Sequence, residues 1–330
     1  MTDSSPFAVL QRIAGGHSVP RCLHVVADMG VADALDESPR TAAELAASVG
    51  AHPGALGRVL RLLSSHGIFE ADAETFRHSP ASRLLRSDHP QSMRALVRML
   101  GFPATWAVYR ELEHSVRTGR PAAEKVLPEG LWAYLGEHPE LGSIFNAAMA
   151  GKAHSQVAGV INACDFSGFG MIGDIGGGSG HLLRAVLDVA PQAKGVLFDL
   201  PNVIAEAADI ASDRLRLQAG DFFRDPLPVC DAYLVMEIIH DWPDEQATAI
   251  LAAMRRAAPA HARLLLIEQM ISADPGPDWA KMLDIHMLAL LGGQQRTLQE
   301  YEVLLARAGF SFTREIETGA GVSVLEATPA

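Results

Sequence analysis

In the C-terminal half an apolar run, AYLVMEII, leads directly into His240-Asp241-Trp242-Pro243. An imidazole titrating near neutrality is suited to take a proton from a phenol of pKa about 10, which without a positioned base is a weak nucleophile at neutral pH. Such a base works best when a carboxylate bonds its far ring nitrogen, fixing the tautomer and stabilising the imidazolium that forms. Two acids are candidates for that place: Glu268, which ends LLLIE, and Glu300, which follows Arg296-Thr297 at the start of a later helix. Either orients the imidazole, and Asp241 competes for the role. Asp241 has the alternative of capping the helix that begins around Pro243, and Glu300 that of supporting its own helix N-terminus. His240, Glu268 and Glu300 are the candidate catalytic residues.

A second constellation is Asp174-Ile175-Gly176-Gly177-Gly178-Ser179-Gly180, which follows a short apolar run and precedes a helical one. Glycines there permit a tight turn and close approach of backbone to a ligand. The dinucleotide pattern GxGxxG fails, because His181 stands three residues after Gly178 and Leu183 three after Gly180. An acid opening the loop suits a ligand with a cationic sulfonium and an ammonium instead of a diphosphate, and S-adenosylmethionine is such a ligand. Asp199, with Leu200, ends the next apolar run, where a carboxylate can accept both ribose hydroxyls. Gly220, Asp221 and Phe222 end the one after that. With Asp174, Gly176, Gly178 and Met236 they outline the expected nucleoside pocket. No set of carboxylates and histidines with Mg or Zn ligand spacing accompanies these residues, so the chemistry is expected to proceed without a metal ion.

These residues need strand ends on one rim to bring them together. After Asp165 short apolar runs (GMIGDI, KGVLFDL, LRLQAGD, AYLVMEII, ARLLLIEQ, SVLEAT) alternate with helical stretches such as HLLRAVLDVA and DEQATAILAAMRRAA. That alternation predicts a doubly wound α/β domain over 165–330 with a mostly parallel sheet. Residues 1–100 read as helix, turn, helix, hairpin: Thr41 and Glu44 form a capping-box pair, PGALGRVLRLLSSHG follows Gly50, and IFEADAETFRHS alternates like a hairpin. This is a winged-helix-like pattern. Residues 101–164, including WAVYRELEHSV and PELGSIFNAAMAGKAHSQVAGVI, continue as a helical linker.

Composition narrows the partners. The 330 residues carry a formal charge of -12, which on average repels nucleic acid and anionic membranes. The second helix of the winged-helix-like segment offers only Arg58 and Arg61, too little for a DNA reader. A regulator that senses S-adenosylmethionine and an oxidoreductase on the same sheet are the competing classes, the latter lacking the third glycine of its fingerprint. Cys22, Cys164 and Cys230 form no CxxC pair and suit reduced thiols. The N-terminal stretch shows neither a basic leader with an apolar core nor a long apolar span, so a soluble cytoplasmic protein is expected.

The runs DIGGGSG, FDLPNV, GDFF, IIHDWPDE, LLLIE and GGQQRTLQEYEVLLARAGF resemble the plant-type O-methyltransferase family, which includes caffeate and acetylserotonin methyltransferases and bacterial natural-product enzymes. The resemblance covers nearly the whole chain. It implies transfer of a methyl group from S-adenosylmethionine, leaving S-adenosylhomocysteine, to a hydroxyl of a small aromatic or polyketide-like metabolite. It also implies that Gly176, Asp199, Asp221 and Phe222 hold the cofactor, that His240 is the base, and that Glu268 and Glu300 flank it. The acceptor pocket would involve Phe145, Met149, Trp242, Met282, His286 and Met287. The N-terminal segment would be a homodimerisation domain. One departure stands out: Met236 occupies the place, four residues before the histidine, where the family often has a lysine or arginine that contacts the cofactor, leaving a polarizable apolar surface there instead.

Overall fold

The computed structural model describes residues 5–330. It divides into two compact units: the residues up to Ala107 together with Trp132–Lys152, and Val108–Leu131 together with Ala153–Ala330. The stretch 101–164 is divided between them, the helix Pro139–Ala163 giving its first half to one unit and its second to the other.

In the N-terminal unit Thr41 caps helix Ala42–Val49 and Glu44 returns the bond, so the capping box read from the sequence is present. Helix Pro53–Ser65 follows, started by Pro53 where a missing N–H costs nothing. Strands β1 (Arg40–Thr41), β2 (Phe69–Asp72) and β3 (Thr75–His78) make a small antiparallel sheet in the order β1-β3-β2. Leu45, Leu56, Leu60, Leu63, Phe69 and Phe76 close one core beneath these elements.

The second unit is built on seven strands: β4 (Met171–Ile175), β5 (Lys194–Asp199), β6 (Leu215–Ala219), β7 (Ala232–Met236), β8 (Arg263–Glu268), β9 (Phe310–Glu317) and β10 (Ser323–Pro329). Their order is β6-β5-β4-β7-β8-β10-β9. The first five pair in parallel, and β10 lies antiparallel between β8 and β9. This is the expected doubly wound sheet. The inner strands read as unbroken apolar runs because both faces are covered; Ile172, Leu234 and Ile267 belong to one cluster, Tyr233, Val235 and Leu266 to the other. Strand β9 went unread in the sequence. It is an edge strand whose Arg314, Glu315 and Glu317 obscure any period-two signal. The helical run WAVYRELEHSV is likewise broken at Glu111, between helices Pro103–Arg110 and Leu112–Thr118.

The chain leaves β4 toward β5 and β6 and then returns to β7 on the other side. The carboxyl ends of β4 and β7 are therefore the switch point where a doubly wound sheet opens a crevice. Among the described residues no helix is long and apolar enough to cross a membrane.

Candidate active site

The loop after β4 begins the site. Gly176 has φ +71° and donates to the Phe198 carbonyl at 2.8 Å. A Cβ there would meet Ile238 Cδ1 at 2.9 Å, whereas a Cβ on Gly178, φ +57°, would meet nothing within 4 Å. One glycine is thus demanded by close packing with the turn after β7, and the other presents bare backbone to open space. Asp199 ties the loop down: Oδ2 accepts from Gly178 N at 2.8 Å and Oδ1 from Leu200 N at 2.7 Å. Each oxygen keeps one lone pair, enough for two ribose hydroxyls. Burial raises its carboxyl above the usual range against the pull of those two N–H groups.

Asp174 is buried beneath the loop, its carboxylate crowding the space a Cβ on Gly177 would take. Burial, only partly offset by the Leu183 N–H, pushes its pKa up to about 7, and Oδ2 has no partner among the described residues. An orphaned carboxylate oxygen under an open glycine turn is a poor place for a diphosphate and a good one for a cation. The next strand end adds Gly220, whose N–H donates to Asp199 O at 2.9 Å, and Asp221, whose Oδ1 accepts from Phe223 N at 2.9 Å. Phe222, Phe223 and Trp242 pack edge to face, with Trp242 4.9 Å from Phe223 and 6.0 Å from Phe222. Trp242 is therefore seated against the aromatics that follow β6. Met236 is half-buried and packs on the core beside β4 and β7.

The loop after β7 turns sharply. Glu237 adopts φ +52°, unusual for a non-glycine, and Gln269 donates to its carboxylate at 2.5 Å. The 3₁₀ turn Ile239–Asp241 follows, with His240 buried in it. Glu268, fully buried at the end of β8, accepts from Ile239 N at 2.9 Å through Oε1 and places Oε2 3.0 Å from His240 Nδ1. On the other side Asp241 Oδ1 is 3.3 Å from Nε2. Burial opposes charge on the ring, but the Glu268 and Asp241 carboxylates outweigh it and push His240 up to about 10. Asp241 lies outside helix Asp244–Ala257, which has no side-chain cap.

Glu300 stands apart from this pair. Its Oε2 accepts from Thr297 N at 2.8 Å and Thr297 Oγ1 at 2.9 Å, a capping box on helix Leu298–Arg307. The helix-supporting alternative describes this geometry, and the spacing Thr297-x-x-Glu300 is the same signal that marks Thr41 and Glu44. What sequence reasoning missed lies just before it. Arg296, 1% exposed, donates to the carbonyls of Ile239 at 3.2 Å and Trp242 at 2.9 Å and to Asp244 Oδ1 at 2.9 Å, holding the histidine loop from outside. Gln294 N donates to the His240 carbonyl at 2.9 Å. Between them Gln295 is buried, and neither polar atom of its carboxamide has a partner among the described residues.

The other expected acceptor residues fall in both units. Met282, 65% exposed, lines a mostly apolar groove of about 580 Å³ with Tyr109, Trp279 and Ile285. His286 Nδ1 lies 3.4 Å from Tyr109 Oη, while Met287 is buried in the core. Phe145 and Met149 belong to the N-terminal unit, where Phe145 packs edge-on to Trp132 at 5.5 Å. Among the described residues no three His, Cys, Asp or Glu side chains are grouped to hold a metal ion.

Comparison with known proteins matches residues 109–311 to the O-methyltransferase domain and residues 11–88 to the O-methyltransferase dimerisation domain. The chain belongs to the O-methyltransferase family. This methyltransferase is 39% identical over 330 residues to phenazine O-methyltransferase PhzM of Lysobacter antibioticus, covering 98% of this chain and 96% of that one. It is 38% identical over 300 residues to the 8-amino-8-demethylriboflavin N,N-dimethyltransferase of Streptomyces davaonensis, covering 87% and 85%. Among solved structures it is similar to NcsB1, an O-methyltransferase from neocarzinostatin biosynthesis in complex with S-adenosylhomocysteine and 1,4-dihydroxy-2-naphthoic acid. The TM-score there is 0.81, with 31% identity and coverage of 97% of this chain and 98% of that one. The methyltransferase uses S-adenosylmethionine, and the open glycine turn, the spare lone pairs of Asp199 and the orphaned Asp174 oxygen suit it.

Proposed function

We propose that this enzyme methylates a phenolic hydroxyl of a small aromatic or polyketide-like metabolite, with His240 as the general base. The observation that carries the reading is the buried imidazole 3.0 Å from Glu268, on the rim where the glycine turn also opens. Gly176, Gly178, Asp199, Leu200, Gly220, Asp221 and Phe222 would hold S-adenosylmethionine, with Asp174 lending negative charge from below and Met236 an apolar surface. Bound there, the cofactor supplies a methyl group on a cationic sulfonium. The protein's own part is to hold the hydroxyl in line and to receive its proton at Nε2, where Asp241 now sits, while Glu268 steadies the ring through Nδ1. The Glu268 and Asp241 carboxylates raise the proton affinity of His240 above that of a free imidazole, which helps it hold the proton taken from the hydroxyl. An acceptor like the 1,4-dihydroxy-2-naphthoic acid of the NcsB1 complex, a fused aromatic ring bearing hydroxyls, agrees with the apolar groove beside Met282.

Replacing His240 with Ala is expected to lower kcat roughly 100-fold or more while leaving the Kd for S-adenosylmethionine nearly unchanged. Turnover close to that of the unmodified enzyme would sink the base assignment. Methylation of an amine is the second reading, favoured by the N,N-dimethyltransferase relative and by the high proton affinity of His240, which leaves it charged at neutral pH. A neutral amine carries its own lone pair and needs no base before attack, so the same variant would then keep most of its rate.

The N-terminal unit is proposed to make a homodimer, supported by the dimerisation-domain match and by helix Pro6–Ala14, whose Phe7, Leu10 and Ile13 are each at least 69% exposed.

A further inference from the structure

We propose that Gln295 reads the acceptor, and that the acceptor therefore carries a second hydrogen-bonding group next to the hydroxyl that is methylated. The proposal rests on the acceptor reading above and deepens it. The segment Gly292–Arg296 is pressed against the histidine loop: a Cβ on Gly293 would fall 2.1 Å from the His240 carbonyl oxygen, so no other residue fits there. Gln294 N bonds that same carbonyl, Gln295 N donates to Asp284 Oδ1 at 2.9 Å, and the Arg296 carbonyl accepts from Ile271 N at 3.0 Å. Residue 295 is thus fixed by its backbone on both sides, a few ångströms from the backbone of His240.

Along this stretch the side chains of Gln294 and Arg296 both run to Asp244 Oδ1, at 2.8 and 2.9 Å. The residue between them takes no part in that network. That residue is Gln295, 3% exposed, with Oε1 and Nε2 both unpartnered among the described residues. A buried amide bonded to nothing destabilises the fold that contains it, and such a group persists where a ligand completes it. The carboxamide donates through Nε2 and accepts through Oε1 at a fixed spacing. Its complement is a neutral group that does both, or an adjacent donor and acceptor, as in a hydroxyl beside a carbonyl or a second hydroxyl on an aromatic ring. Being uncharged, it neither repels a developing phenolate nor adds a third negative charge beside Glu268 and Asp241.

The test is Gln295→Leu, close in size and apolar, with Gln295→Met as a second variant that adapts to the same space. The probes are 1,4-dihydroxy-2-naphthoic acid, which bears adjacent polar groups, and 1-naphthol, which does not. The ligand-free variants are expected to show an unchanged or raised Tm and an unchanged Kd for S-adenosylmethionine. kcat/KM for the naphthoic acid should fall at least tenfold, chiefly through KM, while that for 1-naphthol changes less than twofold. A Tm lowered by 5 °C or more in both variants would mean that the amide is bonded within the fold and would overturn the proposal, as would an unchanged preference between the two probes. Failure of the hydroxyl-acceptor reading shows separately, as transfer by the unmodified enzyme to neither probe. In that case binding decides: the Kd of the naphthoic acid should rise at least tenfold in both variants, and an unchanged Kd would overturn the role of Gln295.

Discussion

His240 carries two carboxylates where one would orient it, and the excess has a measurable consequence. With Glu268 on Nδ1 and Asp241 on Nε2, burial is outweighed and the ring stays protonated up to about pH 10. Between the unfolded value near 6.5 and about 10 the folded chain keeps a proton that the unfolded chain releases. The stabilisation is therefore complete below about pH 6.5 and is lost as the pH rises toward 10. Activity should run the opposite way, since only the neutral ring accepts a proton. For a phenolic acceptor kcat/KM is expected to climb between pH 7 and 9, and Asp241→Asn should shift that rise to lower pH by removing one of the two charges. A profile unmoved by the substitution would show that Asp241 does not set the titration.

At the scale of elements the site depends on how the turn after β7 is held. The turn has a left-handed Glu237 at its entry and a 3₁₀ turn at its centre, neither self-sustaining, and three neighbours restrain it: Glu268 from β8, Gln294 from the segment before helix Leu298–Arg307, and Arg296 from the same segment. The guanidinium is suited to this because its planar fork reaches two carbonyls and a carboxylate at once. Asp244 is half exposed, so solvent screens its ion pair with Arg296. Loss of the buried carbonyl bonds in Arg296→Met should still cost on the order of 2–4 kcal/mol. Urea unfolding is the measurement, and a change below about 1 kcal/mol would remove Arg296 from the role of clamp. Arg296→Lys, which keeps the charge and loses the fork, should lower kcat with little effect on the Kd for S-adenosylmethionine.

For the whole molecule the open question is assembly. Helix Pro6–Ala14 buries none of its residues within the chain, and its apolar side chains would be costly to leave in water. Light scattering coupled to size exclusion is expected to give about twice the 35.3 kDa chain mass. Changing Phe7 and Leu10 together to Asp should shift the protein toward monomer. A monomeric unmodified protein at micromolar concentration would overturn the homodimer proposal.

Local chemistry made much of this protein legible from its residues alone. The runs that became β4, β5, β7 and β8 are apolar because both faces of a parallel sheet are covered, and that constraint acts on every residue of the strand. The glycine turn, the acid ending β5 and the capping box at Thr41 are sequence-local geometries with short signatures, and each stands in the fold as those signatures imply. Tertiary structure decided what depends on distant chain. Edge strand β9 carries no inward-outward contrast strong enough to read. Glu300 and Glu268 look equivalent as acids, yet one is consumed by its own helix and the other meets His240 because parallel pairing of β7 with β8 sets their ends side by side. Gln295 has no titratable signal in the sequence at all; its meaning lies in being buried without a partner, and burial is a property of the folded chain.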